Sequence, residues 1–177
     1  AAPVMAVRRK KDSSVVKALR ALADGQGDGF VSAGSTGAVL AGATLIVKRI
    51  PGILRPALAP VLPTKAGKGM LLIDCGANVD CKPQYLAQFG VMGSVYMENV
   101  MGTKAPKVAL INNGAEEHKG NDLTQKAHQM LKKMPIDFTG NVEARDLVSG
   151  ETDVAVADGF VGNVVLKFME GFASALM

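Results

Sequence analysis

Short apolar runs alternate with longer segments of helical periodicity along this chain of 177 residues, and most runs end in glycine or polar residues. The clearest runs are "GMLLIDCGAN", "KVALINNG" and "DVAVADG". Helical segments such as "LTQKAHQMLKKM" stand between them. Because helical crossovers between strands produce parallel pairing, this order predicts an α/β fold with a mostly parallel sheet.

The boundaries of several elements can be predicted from local signals. A helix is expected from Asp12 or Ser13 through Ala23, and Pro83 is expected to open another in its first turn. The unbroken apolar core of "GMLLIDCGAN" indicates a strand covered on both faces. A short strand, "GFV" at 29–31, is predicted before a small-residue turn. The remaining predicted elements are strands in "ALAPVL" and "IDFTG", a helix in "TGAVLAGATLIVKRI" and a closing helix in "VGNVVLKFMEGFASALM".

Composition narrows the class of protein. With 48% hydrophobic and 20% charged residues, the chain predicts one compact α/β domain over 1–177. Its longest apolar stretch, 37–47, is shorter than the roughly 20 residues of a membrane-spanning helix. A net charge of +4 favours acidic partners. Aromatic residues make up only 5% and tryptophan is absent, which argues against single-stranded nucleic acid as a partner.

Cysteine and histidine residues give no sign of a metal site. Cys75 and Cys81 form no CxxC motif, and His118 and His128 lack metal-ligand spacing. Cys75 follows an apolar strand with no histidine nearby, so it is expected to be a small buried side chain rather than a nucleophile. These features predict a reduced, cytoplasmic protein without a metal.

Polar and glycine-rich segments follow the predicted strands at their carboxyl ends. In open parallel sheets, ligands bind at this edge, where helix N-termini also point. The sequence therefore predicts a binding site there. The segments are "SAGSTG", "PTKAGKG", "DCGANVDCKP", "NNGAEEHKGN", "GNVEARD" and "DGFVGN".

The segment "VSAGSTG" suggests an anion site. A strand ending at Val31 or Ser32, a small-residue turn and a helix starting near Thr36 would present backbone N–H groups to an anion such as phosphate. Neither the P-loop nor the GxGxxG pattern matches, and close strand-to-helix packing is an equally good explanation of the glycines. The candidate phosphate-binding residues are Ser32, Gly34, Ser35, Thr36 and Gly37.

Two loops offer further groups for phosphate chemistry. Lys119, in a loop rich in charge, is a candidate cation, with Lys82 as a second one; a solvated charged loop is the alternative. Asn163 lies in the first turn of the closing helix and can donate a hydrogen bond. Further candidate substrate residues are Asn78, Asn113 and Asp158.

Eight motifs, in this order, resemble the bacterial phosphate acyltransferase family of phospholipid synthesis. The resemblance covers essentially the whole chain. The motifs are "AVRRKKDSS", "VSAGSTGA", "RPALAPVLPT", "GANVDCKP", "QFGVMGSVY", "EEHKGND", "GNVEARD" and "DGFVGNVVLK".

The resemblance implies an enzyme that converts acyl-[acyl-carrier protein] and inorganic phosphate to acyl phosphate and free carrier protein. It further implies a three-layer α/β/α Rossmann-like sandwich of the isocitrate/isopropylmalate dehydrogenase type, a homodimer, and a cytoplasmic location with peripheral membrane association. Lys119 and Asn163 match the family's catalytic pair, and no cofactor is implied. Family members also begin with a "DAMGGD"-like segment and continue past the closing helix, so both flanks are expected to be missing here.

Two alternatives remain open from the sequence. A phosphate acetyl- or butyryltransferase would use the same cleft with a coenzyme A thioester. A phosphoacyl-binding or membrane-scaffolding fragment would use it without turnover.

Overall fold

The computed structural model describes residues 3–176, and the chain divides into two compact units, Ala1–Pro56 and Ala57–Met177. Within residues 3–56, the regular elements of the first unit are all helices. They are α1 (Pro3–Arg9), α2 (Ser14–Ala23) and α3 (Thr36–Gly42), the last followed by a π-helical turn at Ala43–Val47. The predicted helix ending at Ala23 is confirmed. The expectation of a single domain over 1–177 stays a prediction.

The first unit has a small apolar core. Val7 of α1 and Val16 and Leu19 of α2 are buried. A Cβ atom at Gly42 would lie 2.6 Å from Leu19 Cδ1, so α3 can contact α2 this closely only because Gly42 has no side chain. The three helices are therefore held together by a few apolar contacts.

The strand predicted at 29–31 is wrong. These residues lie in the loop between α2 and α3, and the side chain of Val31 is 99% exposed. A strand requires a neighbouring strand for its backbone hydrogen bonds. Among residues 3–176, every strand belongs to the second unit, so "GFV" has no partner within its own unit. The helix predicted from Thr36 does begin at that residue.

The second unit is built on a five-stranded sheet with the order β1-β2-β5-β3-β4. Strand β1 is antiparallel to β2, and all other pairs are parallel. The predicted α/β class with a mostly parallel sheet is confirmed. The strands are β1 (Val61–Pro63), β2 (Gly69–Ile73), β3 (Lys107–Asn112), β4 (Asp137–Glu143) and β5 (Val154–Val156). The helices are α4 (Pro83–Asn99), α5 (Asp122–Leu131) and α6 (Gly159–Leu176), with a 3-10 helix at Ala144–Ser149.

Helices cover both faces of this sheet. Leu71 and Ile73 of β2 pack with Phe89 of α4 and Leu131 of α5 in one buried cluster. Met70 and Leu72, which alternate with them along β2, belong to a second cluster that Val165 and Leu166 of α6 contact. The apolar run of β2 is unbroken because both of its faces are buried, as predicted.

Candidate active site

Three segments follow neighbouring strands at the carboxyl edge of this sheet. Residues 74–78 follow β2, residues 157–163 follow β5, and residues 113–121 follow β3. Because β2, β5 and β3 are adjacent and mutually parallel, the three segments leave the sheet on the same side. Candidate groups from distant parts of the sequence are thereby gathered along one edge.

The first segment is organised by Asp74, whose side chain is fully buried. Its Oδ1 atom accepts hydrogen bonds from the backbone N–H groups of Leu58 (2.9 Å) and Ala77 (3.1 Å). Its Oδ2 atom accepts from the backbone N–H (2.7 Å) and the side-chain Nδ2 (2.9 Å) of Asn78. A buried carboxylate requires such donors, so its charge ties the turn 74–78 to the chain that precedes β1.

The start of α6 rests against this turn. Asp158 Oδ1 accepts from the backbone N–H groups of Phe160 and Val161, both at 2.9 Å, and thereby caps the helix. The backbone N–H of Gly159 donates to the carbonyl oxygen of Asn78 at 2.8 Å. These contacts hold the positive end of α6 beside the turn after β2.

Asn163 lies in the first turns of α6 and is exposed. Gly76, in the turn after β2, has φ +129°, and a Cβ atom there would lie 3.7 Å from Asn163 Oδ1. The Asn163 side chain therefore faces the turn that Asp74 organises, and its amide can still reach a ligand from solvent.

Lys119 lies in the loop after β3, and its backbone is fixed on both sides. Its N–H donates to the Glu116 carbonyl oxygen at 3.0 Å, and its own carbonyl oxygen accepts from Asn112 Nδ2 at 3.0 Å. The aliphatic part of the side chain packs on Gly114, where a Cβ atom would lie 2.9 Å from Lys119 Cγ. Among residues 3–176, no carboxylate forms an ion pair with the Lys119 ammonium group.

The same loop is anchored to its neighbours in the sheet. Asn141 of β4 donates through Nδ2 to the Glu116 carbonyl oxygen at 2.8 Å, and its Oδ1 atom lies 2.9 Å from Nδ1 of the buried His128. Glu117 accepts from Gln129 (2.8 Å) and from Lys132 (3.0 Å). The side-chain hydrogen bond from Gln129, followed by that from Lys132, lowers the pKa of Glu117. The loop that carries Lys119 is therefore an ordered structure.

The N-cap residue of α5 is Asn121. Asn121 Oδ1 accepts from the backbone N–H of Thr124 at 3.0 Å, and Thr124 Oγ1 accepts from the backbone N–H of Asn121 at 3.0 Å. This reciprocal pair is a capping box. Gly120 precedes it at φ +97°, a conformation that favours glycine, and a side chain there would overlap Thr124 and Asn112.

A cleft of about 570 Å³ opens between the loop after β3 and the start of α6. Its lining combines apolar side chains with amide, hydroxyl and carboxylate groups. The cleft brings together Asn113 and Asp158, two of the predicted substrate residues. Its lining residues are Ile111, Asn112, Asn113, Gly120, Asn121, Thr124, Ala144, Asp158, Val161 and Val165.

The other predicted residues of this unit lie around the cleft rather than in its lining. Val161 and Val165, one helical turn apart, face the cleft, whereas Asn163 lies two residues from each and faces Gly76. Lys119 immediately precedes the lining residue Gly120. The convergence of Lys119 and Asn163 on one substrate stays a prediction.

Asn78 and Lys82 have different settings. Asn78 is held by Asp74, and its carbonyl oxygen accepts from Gly159. Lys82 is exposed and is the N-cap residue of α4, which Pro83 opens as predicted. Asn78 is therefore part of the ordered turn after β2, whereas Lys82 lies at the entrance of a helix.

In the first unit, the residues of the predicted phosphate segment are largely exposed. Ser32 Oγ accepts from the backbone N–H of Gly34 at 3.1 Å, and Ser35 is the N-cap residue of α3. Since no strand precedes this segment, the reason for placing it at the carboxyl edge of a sheet no longer applies. Phosphate binding at Ser32–Gly37 stays a prediction about this segment alone.

Sequence analysis missed Asp74 and Asn112. The sequence does contain a signal for both residues. Each is a polar residue at the end of an apolar run, where the strand leaves the core. Asn113 was chosen over its neighbour, but it is Asn112 that bonds the Lys119 carbonyl oxygen. The sequence does not show which of two adjacent asparagines faces the Lys119 loop, because that depends on the direction of each side chain in the folded protein.

The environment of Cys75 confirms its expected role as a small buried side chain. It is 5% exposed, and its Sγ atom donates to the Leu58 carbonyl oxygen at 3.3 Å. Burial, with a smaller contribution from the charge of Asp74, raises the pKa of the Cys75 thiol to about 11. Thiolate is therefore scarce at neutral pH.

Residues 3–176 contain neither a metal-binding cluster nor a helix that could span a membrane. No cluster of three or more histidine, cysteine, aspartate or glutamate side chains is arranged to hold a metal ion there. No helix in this part of the chain has the length and apolar character needed to span a membrane.

The fold is that of the phosphotransacetylases. A phosphotransacetylase from Streptococcus pyogenes superposes with a TM-score of 0.70 at 20% identity, covering 88% of this chain and 54% of that one. A EutD phosphotransacetylase from Staphylococcus aureus superposes with a TM-score of 0.69 at 21% identity, covering 97% of this chain and 63% of that one. At these identities the likeness defines the class of fold.

Sequence comparison defines the family. The model of the fatty acid synthesis protein family matches residues 1–177. A phosphate acyltransferase from Clostridium novyi is 58% identical over 174 residues, which are 98% of this chain and 52% of that protein. A phosphate acyltransferase from Clostridium acetobutylicum is 56% identical over 171 residues, 97% of this chain and 51% of that protein. The chain belongs to the fatty acid synthesis protein family, which confirms the resemblance identified from its motifs, and it spans about half the length of these relatives.

Proposed function

We propose that this chain transfers an acyl group from the thioester of acyl-[acyl-carrier protein] to inorganic phosphate, as a step of phospholipid synthesis. The observation that carries this proposal is the 58% identity, over 98% of the chain, to a protein named phosphate acyltransferase. The products are acyl phosphate and carrier protein with a free thiol.

The chemistry sets clear demands on a site. A phosphate oxygen attacks the thioester carbonyl carbon, a tetrahedral oxyanion forms, and the C–S bond then breaks to release a thiolate. A thiol of this kind has a pKa of about 8.5, so its departure needs little help from an acid. The site must hold a phosphate dianion, offset its charge and donate hydrogen bonds to the oxyanion.

Lys119 is suited to offset the phosphate charge. Its stem is packed on Gly114 and its backbone is held by Asn112 and Glu116, so the ammonium group is presented from a fixed loop. It forms no ion pair within residues 3–176, which leaves its charge available to an anion. Lys82 is the second candidate for this role.

Asn163 is suited to donate to the oxyanion. It lies in the first turns of α6, where the helix dipole favours negative charge, and its side chain is exposed beside Gly76. An amide that is already oriented gains strength as negative charge develops on the carbonyl oxygen.

Asn78, Asn113 and Asp158 support the proposed site in different ways. Asn113 lines the cleft and can contact substrate directly. Asp158 Oδ1 is engaged by two N–H groups of α6, so its main contribution is to hold that helix end. Asn78 orders the adjoining turn. Ser32–Gly37 is proposed as a phosphate-binding segment in its own right.

The family resemblance also supports finer proposals about the whole protein. They comprise an isocitrate/isopropylmalate dehydrogenase-type fold, a homodimer, a cytoplasmic location and peripheral association with membranes. Acyl-carrier protein is the proposed macromolecular partner, and no cofactor is required by the chemistry above.

The test is phosphate-dependent acyl phosphate formation, trapped with hydroxylamine as the acyl hydroxamate. This readout avoids the background that Cys81 would give with thiol reagents. The same acyl chain is supplied on acyl-carrier protein and on coenzyme A. Faster turnover of the carrier-protein donor is expected. Preference for coenzyme A would favour the phosphotransacylase alternative, and phosphate binding without turnover would favour a binding fragment.

A further inference from the structure

Asp74 is a buried carboxylate that the proposed chemistry does not use. It is fully inaccessible to solvent, so it cannot touch substrate. Burying a carboxylate is costly unless hydrogen bonds compensate its charge. Four N–H donors do so here, three of them from Ala77 and Asn78 in the turn that follows β2.

The turn held by Asp74 is in contact with α6 at three successive points. Gly159 donates from its backbone N–H to the Asn78 carbonyl oxygen. Gly162 lies against the backbone carbonyl oxygen of Asp74 itself, so closely that a Cβ atom would overlap it. Asn163, the next residue, faces Gly76 at the centre of the turn. A shift of the turn therefore moves the surface against which the Asn163 side chain rests.

We propose that Asp74 is a positioning residue that holds the turn 74–78 against the start of α6 and thereby orients the Asn163 amide. This inference rests on the proposed function for its kinetic consequences. The structural part of the proposal is that the orientation of the Asn163 side chain depends on the Asp74 carboxylate. That part does not depend on which acyl donor is used.

The first test replaces the carboxylate by its neutral isostere. Asp74→Asn keeps the size of the side chain but turns one acceptor into a donor that faces other N–H groups. Misplacement of a reacting group by about 1 Å can cost about 100-fold, so we expect kcat for acyl phosphate formation to fall about 10- to 100-fold. The KM for the acyl donor should change much less, because Asp74 does not contact it.

Asp153 provides a matched control. It is also buried, at 4% exposure, and accepts from the backbone N–H of Lys107 at 2.9 Å and from Lys68 Nζ at 2.6 Å. It lies at the opposite end of the sheet, just before β5 begins. Asp153→Asn should weaken folding and leave kcat near normal. Unchanged kcat in Asp74→Asn, or an equal loss in Asp153→Asn, would overturn the proposal.

A double-mutant cycle asks whether Asp74 acts through Asn163. On an Asn163→Ala background the amide to be oriented is gone, so Asp74→Asn should have little further effect on kcat. Residues that act on one group are non-additive in this way, whereas independent residues add. Full additivity of the two losses would show that Asp74 does not act through Asn163.

A spectroscopic test decides the matter without turnover. The side-chain amide of Asn163 is assigned in ¹⁵N NMR spectra by its disappearance in Asn163→Ala. We expect Asp74→Asn to shift or broaden these resonances and Asp153→Asn to leave them in place. Should Asp74→Asn fail to fold, Asn78→Ala removes only one of the four donors and should cause a smaller shift in the same resonances.

The two proposals fail in different ways. Absence of acyl phosphate formation by the unmodified chain would contradict the proposed function, and the NMR comparison would still decide the role of Asp74. Asn163 resonances that do not respond to Asp74→Asn would overturn the positioning role even in an active enzyme.

Discussion

Gly162 of α6 lies directly against the backbone carbonyl oxygen of Asp74, and no side chain fits between them. This contact sets the distance between the helix that carries Asn163 and the turn after β2. Because the obstacle is backbone rather than a flexible side chain, even a methyl group must displace the helix or the turn.

Gly162→Ala is therefore expected to destabilise the protein. Forcing an extra methyl group into a packed contact costs roughly 1–3 kcal/mol, and kcat should fall as Asn163 is displaced. Gly171 is the control on the same helix, since a Cβ atom there meets nothing within 4 Å. Gly171→Ala should raise the free energy of unfolding by about 0.5–1 kcal/mol. Urea unfolding of both variants measures these changes, and equal stabilities would contradict the close contact.

Lys119→Met tests the proposed cation while keeping an apolar stem to pack on Gly114. If the ammonium group stabilises the reacting phosphate, kcat should fall about 100- to 1000-fold with little change in melting temperature. Lys126 is the control, because it is exposed and forms an ion pair with Asp122 at 2.8 Å. Lys126→Met should retain normal turnover. A folded Lys119→Met protein with near-normal kcat would transfer the role to Lys82.

Replacing Gly34 and Gly37 together by valine tests the predicted phosphate segment. Added side chains would meet Ser32 Oγ at 3.2 Å and Pro3 Cγ at 3.0 Å, and they would cover the backbone N–H groups of the turn. Phosphate affinity, measured by calorimetry, should fall. Gly29→Val is the control in the same loop, because its Cβ atom meets nothing within 4 Å. Unchanged affinity in the folded double variant would place phosphate binding elsewhere.

If acyl-carrier protein is the partner, as proposed, and carries negative charge, the basic residues of the first unit predict that its recognition depends on salt. The attraction of exposed charges is screened over about 8 Å at physiological ionic strength, so KM for acyl-[acyl-carrier protein] should rise with added salt. An uncharged acyl-pantetheine thioester is the matched donor, and its KM should stay constant. A KM for the carrier-protein donor that does not change with salt concentration would contradict this role. The residues concerned are Arg8, Arg9, Lys10, Lys11, Arg49 and Arg55.

Cys75 should resist alkylation in the folded protein. Its raised pKa of about 11 and its burial leave almost no thiolate at pH 8, so iodoacetamide should modify the half-buried Cys81 first. The pKa is higher in the folded state than the ordinary 9.0, so the neutral thiol favours folding below pH 9. That contribution is lost as pH rises from 9 towards 11, so the melting temperature of the unmodified protein should fall over this range. The fall should be smaller in Cys75→Ala, which has no thiol to ionise. Rapid labelling of Cys75 at pH 8 would contradict its burial.

Several parts of the fold were predictable from the sequence because their causes are local. Pro83 opens α4 since its ring suits a first helical turn, and Asn121 caps α5 through a bond to Thr124 three residues away. The apolar run at Gly69–Ile73 identified a strand buried on both faces. The segments that carry Lys119 and Asn163 were also identified, because polar residues directly after an apolar run mark the end of a strand.

Tertiary structure decided which residues meet. Phe30 and Val31 have strand-like composition, but a strand forms only where a partner offers backbone hydrogen bonds, and no other strand lies in the described part of their unit, residues 3–56. The sequence placed Asn163 near the carboxyl edge, whereas packing of Gly162 on Asp74 turns its side chain towards Gly76. Asp74 is one acidic residue among 16 in the sequence. Its role depends on donors from Leu58 and Asn78, which only the folded chain brings together, because hydrogen bonds between distant segments leave no periodic or local signal.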